Sequence, residues 1–471
     1  MPAKFSMVTV ILIIILGAVS LAFPKLEIDG EFRNRFGYFI NKDLDSERPN
    51  DFGAIDLRAK LGLKYSLDKS PFYAYYKFRV GNIVWGHPSF GGAQGTDKVN
   101  VQTENLYIGW NSSNNFFNGM VGLIALSTPL EVELDDDVAG VFLRFNYSEF
   151  RVDFAYSTLF NTADESATDF DLSDFEFDTS SMAHLLYARA RHRFINNEES
   201  GLREQVNVWY MYMTDTRFID ITDEIEIIGV ETNVINRYDN YDYSLHWIGI
   251  MNRFDIWKIR TDIGFSYNLG TVTETNGNTI PVNAYYLYGR LRFDPIDQLR
   301  IFGRLNLSSG NNGNTDELNR FQVIGRRGSL DTGLSILFGG GPFHQQAYFS
   351  KWNAGVETRR NLTGGRIRYT EPGIFIVEGG AQLRLRDKIN FDSEIVVGYA
   401  STANPINGQT LLGLEFDLHN RIRIARGTDF YLTFAYLLPG RALQEIYEET
   451  HGYRLGGDHA IKIEGMIEFK F

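Results

Sequence analysis

Arginine recurs at alternate positions in several short segments of this chain of 471 residues. Arg189, Arg191 and Arg193 form one such run, and Arg290 and Arg292 form another. A guanidinium group donates two parallel hydrogen bonds to a carboxylate or a phosphate, so ladders of arginine can bind anions and pass them on. The basic residues that we predict to bind anions are Arg33, Arg35, Arg58, Lys60, Arg79, Arg189, Arg191, Arg193, Arg260, Arg290, Arg292, Arg300, Arg304, Arg384, Arg386 and Arg421.

Catalytic and metal chemistry has little support in the residues. The chain has no cysteine, which removes disulfides, thiolate catalysis and cysteine-based zinc sites. The eight histidines show no spacing typical of metal ligands, so we expect no enzyme, no cofactor and no metal centre. Two alternatives stay open: calcium binding by acidic loops, and a serine hydrolase built around a histidine such as His246.

The elements that position these arginines are strands with two unlike faces. From residue 57 to 65, apolar residues alternate with charged or small ones, and similar alternation recurs until the end of the chain. Successive side chains of a strand point to opposite faces, so each segment has one apolar and one charged face. A soluble sandwich of two sheets shows the same pattern, so the period alone does not choose between the architectures.

The lengths of the connections favour an all-β fold, a single transmembrane antiparallel β-barrel. We predict 18 strands, with 16 or 20 as alternatives, because the segment 343–356 also alternates. Connections alternate between long ones, such as 128–137 and 401–408, and short ones, such as 148–149. Outer-membrane barrels have short periplasmic turns and long outer loops, whereas soluble β proteins have no reason to sort their loops in this way.

The first 22 residues form a predicted signal peptide. Lys4 precedes an apolar run over 7–16, and Ser20-Leu21-Ala22 supplies the small residues of a cleavage site. The run is shorter than the roughly 20 residues that a membrane-spanning helix needs. We therefore predict a barrel over 23–471, in which 309–372 is a long extracellular loop that folds over or into the mouth and constricts the pore.

The charges are distributed unevenly. The chain has 46 Lys and Arg against 59 Asp and Glu, and its formal net charge of −13 argues against nucleic acid as a partner. On the strands, however, the charged face has nearly twice as many cations as anions. We therefore predict that the excess acid lies in the outer loops, at Asp135-Asp136-Asp137 and within 164–178.

The last strand resembles that of outer-membrane β-barrels of the porin superfamily. The residues that alternate up to the carboxyl terminus are Ile461, Ile463, Ile467, Phe469 and Phe471. In the porin superfamily a terminal aromatic residue is read by the barrel-assembly machinery, so the resemblance implies Phe471 as an assembly signal. It also implies the outer membrane of a Gram-negative-type bacterium. The segments 32–38 and 75–79 resemble the alginate-export family of porins.

These observations together predict a channel for passive diffusion of hydrophilic, anionic solutes such as carboxylates or acidic saccharides. Its expected partners are outer-membrane lipid, lipopolysaccharide, the barrel-assembly machinery and small hydrophilic solutes. The sequence leaves its oligomeric state open. A rival interpretation is that the arginines only form ion pairs between strands, in a surface or adhesion scaffold with a closed lumen.

Overall fold

The computed structural model describes residues 24–42, 44–45, 51–68, 70–84, 101–159, 183–197, 201–215, 241–274, 277–311, 317–321, 331–338, 372–386, 390–451 and 455–471. The predicted signal peptide, the acidic stretch 164–178 and the alternating stretch 343–356 lie outside these residues. The described residues are almost entirely β-strand.

Eighteen antiparallel strands follow one another around a closed sheet. The first strand pairs with the last as well as with the second, so the sheet closes and leaves no edge. The predicted fold class, a transmembrane barrel of 18 strands, is confirmed. The strands are β1 (Pro24–Ile40), β2 (Phe52–Leu67), β3 (Phe72–Val84), β4 (Val101–Asn111), β5 (Phe117–Ser127), β6 (Asp135–Tyr147), β7 (Phe150–Leu159), β8 (Ala183–Asn197), β9 (Leu202–Asp215), β10 (Tyr241–Ile256), β11 (Ile259–Glu274), β12 (Thr279–Ile296), β13 (Leu299–Ser308), β14 (Ile374–Leu385), β15 (Asn390–Ile406), β16 (Gln409–Ala425), β17 (Thr428–Pro439) and β18 (Ala460–Lys470).

The barrel buries its charged faces and exposes its apolar ones. In β1, Arg33 and Arg35 are buried, whereas Phe32 and Phe36 are 42% and 44% exposed. Large apolar side chains are exposed in the same alternation on strands around the barrel. An apolar surface of this extent is stable against acyl chains and not against water, so the outer face is the one that contacts lipid.

Two predicted loop positions are wrong. At 401–408 the sequence predicts a long loop, but β15 and β16 continue until a turn of two residues separates them. This turn is Asn407-Gly408, whose φ angles of 47° and 77° suit a tight hairpin. The residues Asp135-Asp136-Asp137, predicted to lie in an acidic outer loop, instead form the start of β6, where Asp135 lies opposite Ser127. In both places backbone hydrogen bonds extend the hairpin beyond its apolar alternation.

A helix, α1 (Arg441–His451), connects β17 to β18. It buries Ala442 and Leu443 in a cluster with Leu44 and Leu455, which belong to the loops beside it. Its packing therefore joins loops at the end of the barrel that carries the long connections. Among the described residues, no helix combines the length and the hydropathy needed to cross a membrane.

Several of the described loop segments fold into the interior, where they supply much of the buried apolar surface, and two of them line a cavity. The first inner loop (residues 128–134) joins β5 to β6 and buries Val132 and Leu134. The second inner loop (residues 331–338) lies between β13 and β14 and buries Leu334 and Leu337. Both belong to the loop end of the barrel, and the short connections such as 148–149 and 426–427 form its opposite, turn end.

Candidate functional site

A cavity of about 440 Å³ lies between the two inner loops. Residues of β10, β12, β13, β15 and β16 line it, together with 129–131 and 331–333 of the inner loops. A polar cavity of this size accommodates a small hydrophilic molecule together with water. Its charged lining residues are Arg253, Arg290, Arg304, Glu131, Asp331 and Glu394.

Two arginines of the cavity share one buried aspartate. Arg253 donates from Nε to Asp262 at 2.5 Å, and Arg290 contacts the other oxygen of Asp262 at 2.6 Å. Arg290 also reaches across to the second inner loop, where its Nη1 lies 2.6 Å from Asp331. In the described part of the chain, Arg253 has one carboxylate partner, whereas Arg290 and Arg304 each have at least two. The side chain of Arg253 is 41% exposed.

Arg304 lies directly opposite Arg290 in the pairing of β12 with β13. It contacts Glu378 at 3.0 Å and Glu394 at 3.3 Å. Glu378 in turn accepts the backbone N–H of Gly333 at 2.9 Å, so this ion pair also holds the second inner loop. Three arginines thus face three carboxylates around the cavity, and the cavity is charge-balanced rather than cationic.

Asp331 stays ionised at neutral pH. Burial works to raise its pKa, but Arg304 and Arg290 outweigh burial and leave the pKa below its ordinary value. A lowered pKa means that the ion pairs made by Asp331 are present at neutral pH and are lost only in strong acid. Asp331 therefore anchors the second inner loop throughout the physiological range.

Carboxylates of β16 hold the second inner loop by its backbone. Glu415 accepts the N–H groups of Ile336 at 2.5 Å and Leu337 at 2.9 Å. Asp417 accepts the N–H of Ser335 at 3.2 Å. These three hydrogen bonds give acceptors to backbone N–H groups that are buried, so they fix the loop on the barrel wall.

Two further side chains hold the carbonyl groups of the same loop. The fully buried Lys462 donates to the carbonyl oxygen of Ser335 at 3.0 Å and pairs with Glu464 at 3.0 Å. His419, one of the cavity-lining residues, contacts the carbonyl oxygen of Gly333 at 2.9 Å through Nε2. The second inner loop is therefore bound on both its donor and its acceptor groups.

Glycines on the wall make room for apolar side chains of both inner loops. A Cβ at Gly264 would lie 2.4 Å from Leu130, and one at Gly398 would lie 2.5 Å from Leu334. Any larger residue at these positions would push the loop away from the wall. Glycine in these strands thus serves the close approach of a loop rather than a bend.

The first inner loop buries a carboxylate, Glu133. Thr128 donates to it from Oγ1 at 2.5 Å, and burial raises the pKa of Glu133 above its ordinary value. A raised pKa means that the folded protein favours the neutral acid, so ionisation at higher pH costs stability. The neighbouring Glu131 is exposed to the cavity.

We expect Glu133→Gln to stabilise the barrel at pH 7 by on the order of 1 kcal/mol, because the amide keeps an acceptor for Thr128 and buries no charge. Thermal unfolding in detergent micelles at pH 7 and pH 5 measures this. The gain should shrink at pH 5, where more of the native Glu133 is already neutral. Glu131→Gln is the matched control and should leave the midpoint unchanged; a destabilised Glu133→Gln variant would refute the argument.

The turn end of β6, β7 and β8 carries surplus positive charge. Arg144 and Arg151 each contact Asp153 at 2.8 Å, and Arg189 bonds the same carboxylate. One fully buried aspartate thus serves three arginines. Arg191 lies directly opposite Arg151, and within the described part of the chain it has no ion-pair partner.

A second surplus lies at the turn end of β11 to β14. Arg300 and Arg384 share Asp294, at 2.8 Å and 3.3 Å. Arg292 faces Arg260 directly across β11 and β12. Within the described residues, no carboxylate pairs with Arg292. The surplus of positive charge on the described part of the wall therefore lies at the turn end, beyond the cavity between the inner loops.

The other predicted residues form ion pairs along the wall, as the rival interpretation expects. These are Arg33 and Arg35 with Asp56, Arg58 with Glu31, Lys60 and Arg79 with Glu104, Arg193 with Glu149, Arg260 with Asp255, Arg386 with Asp392, and Arg421 with Asp429. Of the 16 predicted residues, only Arg191 and Arg292 lack an ion pair with a described carboxylate. The structure thus brings the 16 residues to the inner wall in several separate clusters; their binding of a solute stays a prediction.

Several charged residues of the interior escape the sequence prediction, among them Arg253, Glu104 and Asp331. Arg253 shares the inward parity of Trp247 and Met251 on β10, so the alternation itself could have identified it. Glu104, which pairs with three cations of β2 and β3, lies at a register shift of β4 and has the parity of the exposed Leu106 and Ile108, so the alternation could not have identified it. Asp331 lies on an inner loop, where no periodic signal exists.

Phe471 lies at the seam where β18 meets β1. Its carbonyl oxygen accepts the N–H of Gly30 at 3.0 Å, and its own N–H donates to Gly30 at 3.2 Å. Its ring lies over Gly30 and remains 70% exposed. The position suits a residue that other molecules contact; its role as an assembly signal stays a prediction.

No protein-family model and no curated protein matches this chain, so the resemblance to the alginate-export family stays a prediction. Solved structures with a similar fold include Acinetobacter baumannii OccAB4, at 12% identity over 94% of this chain and 98% of that chain, with a TM-score of 0.49. Pseudomonas aeruginosa OccK5 (OpdH) has 9% identity over 95% and 98% of the two chains and a TM-score of 0.48. An anion-selective porin from Comamonas acidovorans has 9% identity over 95% and 100%, with a TM-score of 0.41. The similarity extends along the chain and is one of barrel fold.

Proposed function

We propose that this protein is an outer-membrane channel for passive diffusion of small hydrophilic solutes, with a preference for anions such as carboxylates and acidic saccharides. A barrel with an apolar outer face and a charged interior is the architecture of bacterial outer-membrane channels. An interior of 18 strands is wide enough to hold water in addition to loops. The cavity between the inner loops is lined by charged and polar side chains and has room for such water.

The observation that carries the anion preference is the surplus of arginine at the turn end. Three arginines share Asp153, and Arg191 and Arg292 have no described carboxylate partner. Rings of Arg or Lys in a pore raise the local concentration of anions. A balanced cavity followed by a cationic wall admits many small polar molecules and retains those with a negative group.

The reversal potential of the purified protein in a planar bilayer tests this proposal. With a tenfold gradient of potassium chloride across the bilayer, we expect a potential of the sign set by chloride permeation. Lower ionic strength should strengthen the preference, because salt screens the arginines over about 10 Å at 0.1 M. Clear cation selectivity would reject the anion preference, and the absence of any conductance would reject the channel.

The second candidate function, a closed scaffold on the cell surface, is favoured by the apolar packing of the inner loops. Val132 and Leu134 of one loop, and Leu334 and Leu337 of the other, are buried inside the barrel. A scaffold of this kind would conduct only after removal of the second inner loop. The channel conducts with that loop in place, so the native protein in the bilayer distinguishes the two functions.

A further inference from the structure

A second, smaller cavity lies at the turn end of the barrel, at β6, β7 and β8. Its volume is about 100 Å³, and Arg151, Arg191 and Arg193 line it together with Ser148 and Glu149 of the turn between β6 and β7. It shares no lining residue with the cavity between the inner loops. A solute that approaches from the turn end therefore reaches it without passing the inner loops.

The charges at this cavity do not cancel. Arg151 and Arg191 lie directly opposite each other, an arrangement of like charges that destabilises a sheet unless an anion compensates it. Arg151 uses Nε and Nη2 for Asp153, which two other arginines share. Arg193 contacts Glu149 at 3.0 Å. In the described part of the chain no carboxylate pairs with Arg191, so positive charge remains where the cavity is open.

We propose that this cavity binds phosphate, either as the free anion or as the terminal group of a solute. Two facing guanidinium groups offer more donors than the two oxygens of a carboxylate accept, whereas a tetrahedral phosphate has acceptors on several sides. The hydroxyl of Ser148 lines the same space and adds a donor. The volume has room for one such group. The proposal rests on the proposed function and assigns it a class of substrate and a binding site.

Because the cavity lies at one end of the barrel, the block that we expect depends on the side to which phosphate is added. The cavity adjoins the turn 148–149, so phosphate added on the turn side crosses little of the membrane field, and its block of the chloride current should depend weakly on voltage. Phosphate added on the loop side must cross most of the field, so that block should depend steeply on voltage. Glucose phosphate, used in the same way, distinguishes a terminal phosphate group from the free anion, and acetate serves as the carboxylate.

The role of Arg191 can be tested separately by replacing it with cysteine, because the native chain has no cysteine that a thiol reagent would also modify. We expect Arg191→Cys to raise the half-blocking phosphate concentration by at least about fivefold. Modification with a cationic methanethiosulfonate should restore the block, and a neutral reagent should not. Arg426→Cys is the matched control: it removes an exposed arginine in another turn at the same end, and should retain the native block.

Three results would overturn the proposal while leaving anion selectivity intact: no block by phosphate, equal block by acetate, or native block in Arg191→Cys. Cation selectivity of the native protein would instead reject the proposed function itself. Block by inorganic phosphate alone would support a site for the free anion, and block by both phosphates a site for the terminal group.

Discussion

Replacing both Arg191 and Arg292 with glutamate is expected to convert an anion-preferring pore into a cation-preferring one. Within the described residues neither arginine pairs with a carboxylate, so the change leaves no buried partner without its counter-charge. At about 7 Å in water one unit charge contributes about 0.6 kcal/mol to the energy of an ion. An ion beside one of the two positions meets a change of two unit charges, about 1.2 kcal/mol, with opposite signs for an anion and a cation. The permeability ratio therefore shifts by about 2.4 kcal/mol, roughly fiftyfold, which salt screening reduces to roughly tenfold.

The reversal potential in a salt gradient measures this shift. Replacing the same two residues with glutamine changes two unit charges and should move the potential about half as far. Arg426→Glu, at an exposed turn position, controls for the charge of the protein as a whole and should have little effect. A reversal potential that stays at the native value in the double glutamate variant would contradict the assignment of these residues to the solute pathway.

Arg290 and Arg304 also belong to the predicted basic residues, but they are poorer choices for a test of selectivity. Arg290 holds Asp262 and Asp331, and Arg304 holds Glu378. Removing one partner of a buried pair costs about 3–5 kcal/mol, because an uncompensated charge remains. A changed selectivity in such variants would report damage to the inner loop as well as the lost charge.

Replacing Glu415 and Asp417 together with alanine should loosen the second inner loop and widen the pore. The change removes three hydrogen bonds to backbone N–H groups, each worth about 1 kcal/mol, and leaves these donors without an acceptor. Lys462 keeps its contact with Glu464, so the variant leaves that lysine paired. The contacts of Glu378 with Gly333 and of Lys462 with Ser335 remain, together with the apolar contacts of Leu334. We therefore expect a loosened loop, a severalfold higher conductance and larger current fluctuations.

Single-channel recording measures this effect, and Glu104→Ala is the matched control. Glu104 is also a buried wall carboxylate with cationic partners, but its contacts lie on β2 and β3 and not on the inner loop. Its loss should alter the conductance much less. If the double alanine variant conducts like the native protein, the second inner loop does not limit the pore, and its docking on β16 serves stability only.

Local patterns in the sequence account for most of the fold. Every strand of the barrel coincides with an alternating segment, because the side chains of a strand alternate between lipid and interior whatever their neighbours are. The exceptions, 401–408 and Asp135, lie where hairpins continue outside the bilayer and the apolar half of the alternation is no longer needed. There only the pairing of backbone groups with the neighbouring strand determines how far the strand extends.

The candidate site was predictable only in part. Parity places Arg290 and Arg191 on the same inner face, yet Arg290 is bound to two aspartates and Arg191 to no described carboxylate. One of the two aspartates, Asp331, comes from an inner loop about 40 residues later in the chain. A search of the alternating pattern alone could not assign that partner.

The order of residues along the chain predicted a barrel, favoured 18 strands over 16 or 20, and indicated which face of a charged strand points inward, since all three follow from a repeat of two and from the spacing of turns. Only the tertiary structure determined which arginines of the inner wall have no described carboxylate to compensate their charge. Positive charge remains uncompensated where the cations outnumber the carboxylates of the neighbouring strands and inner loops. Those neighbours are distant in sequence. The sequence of the inner loops shows no alternation, and their position in the barrel depends on hydrogen bonds to the wall.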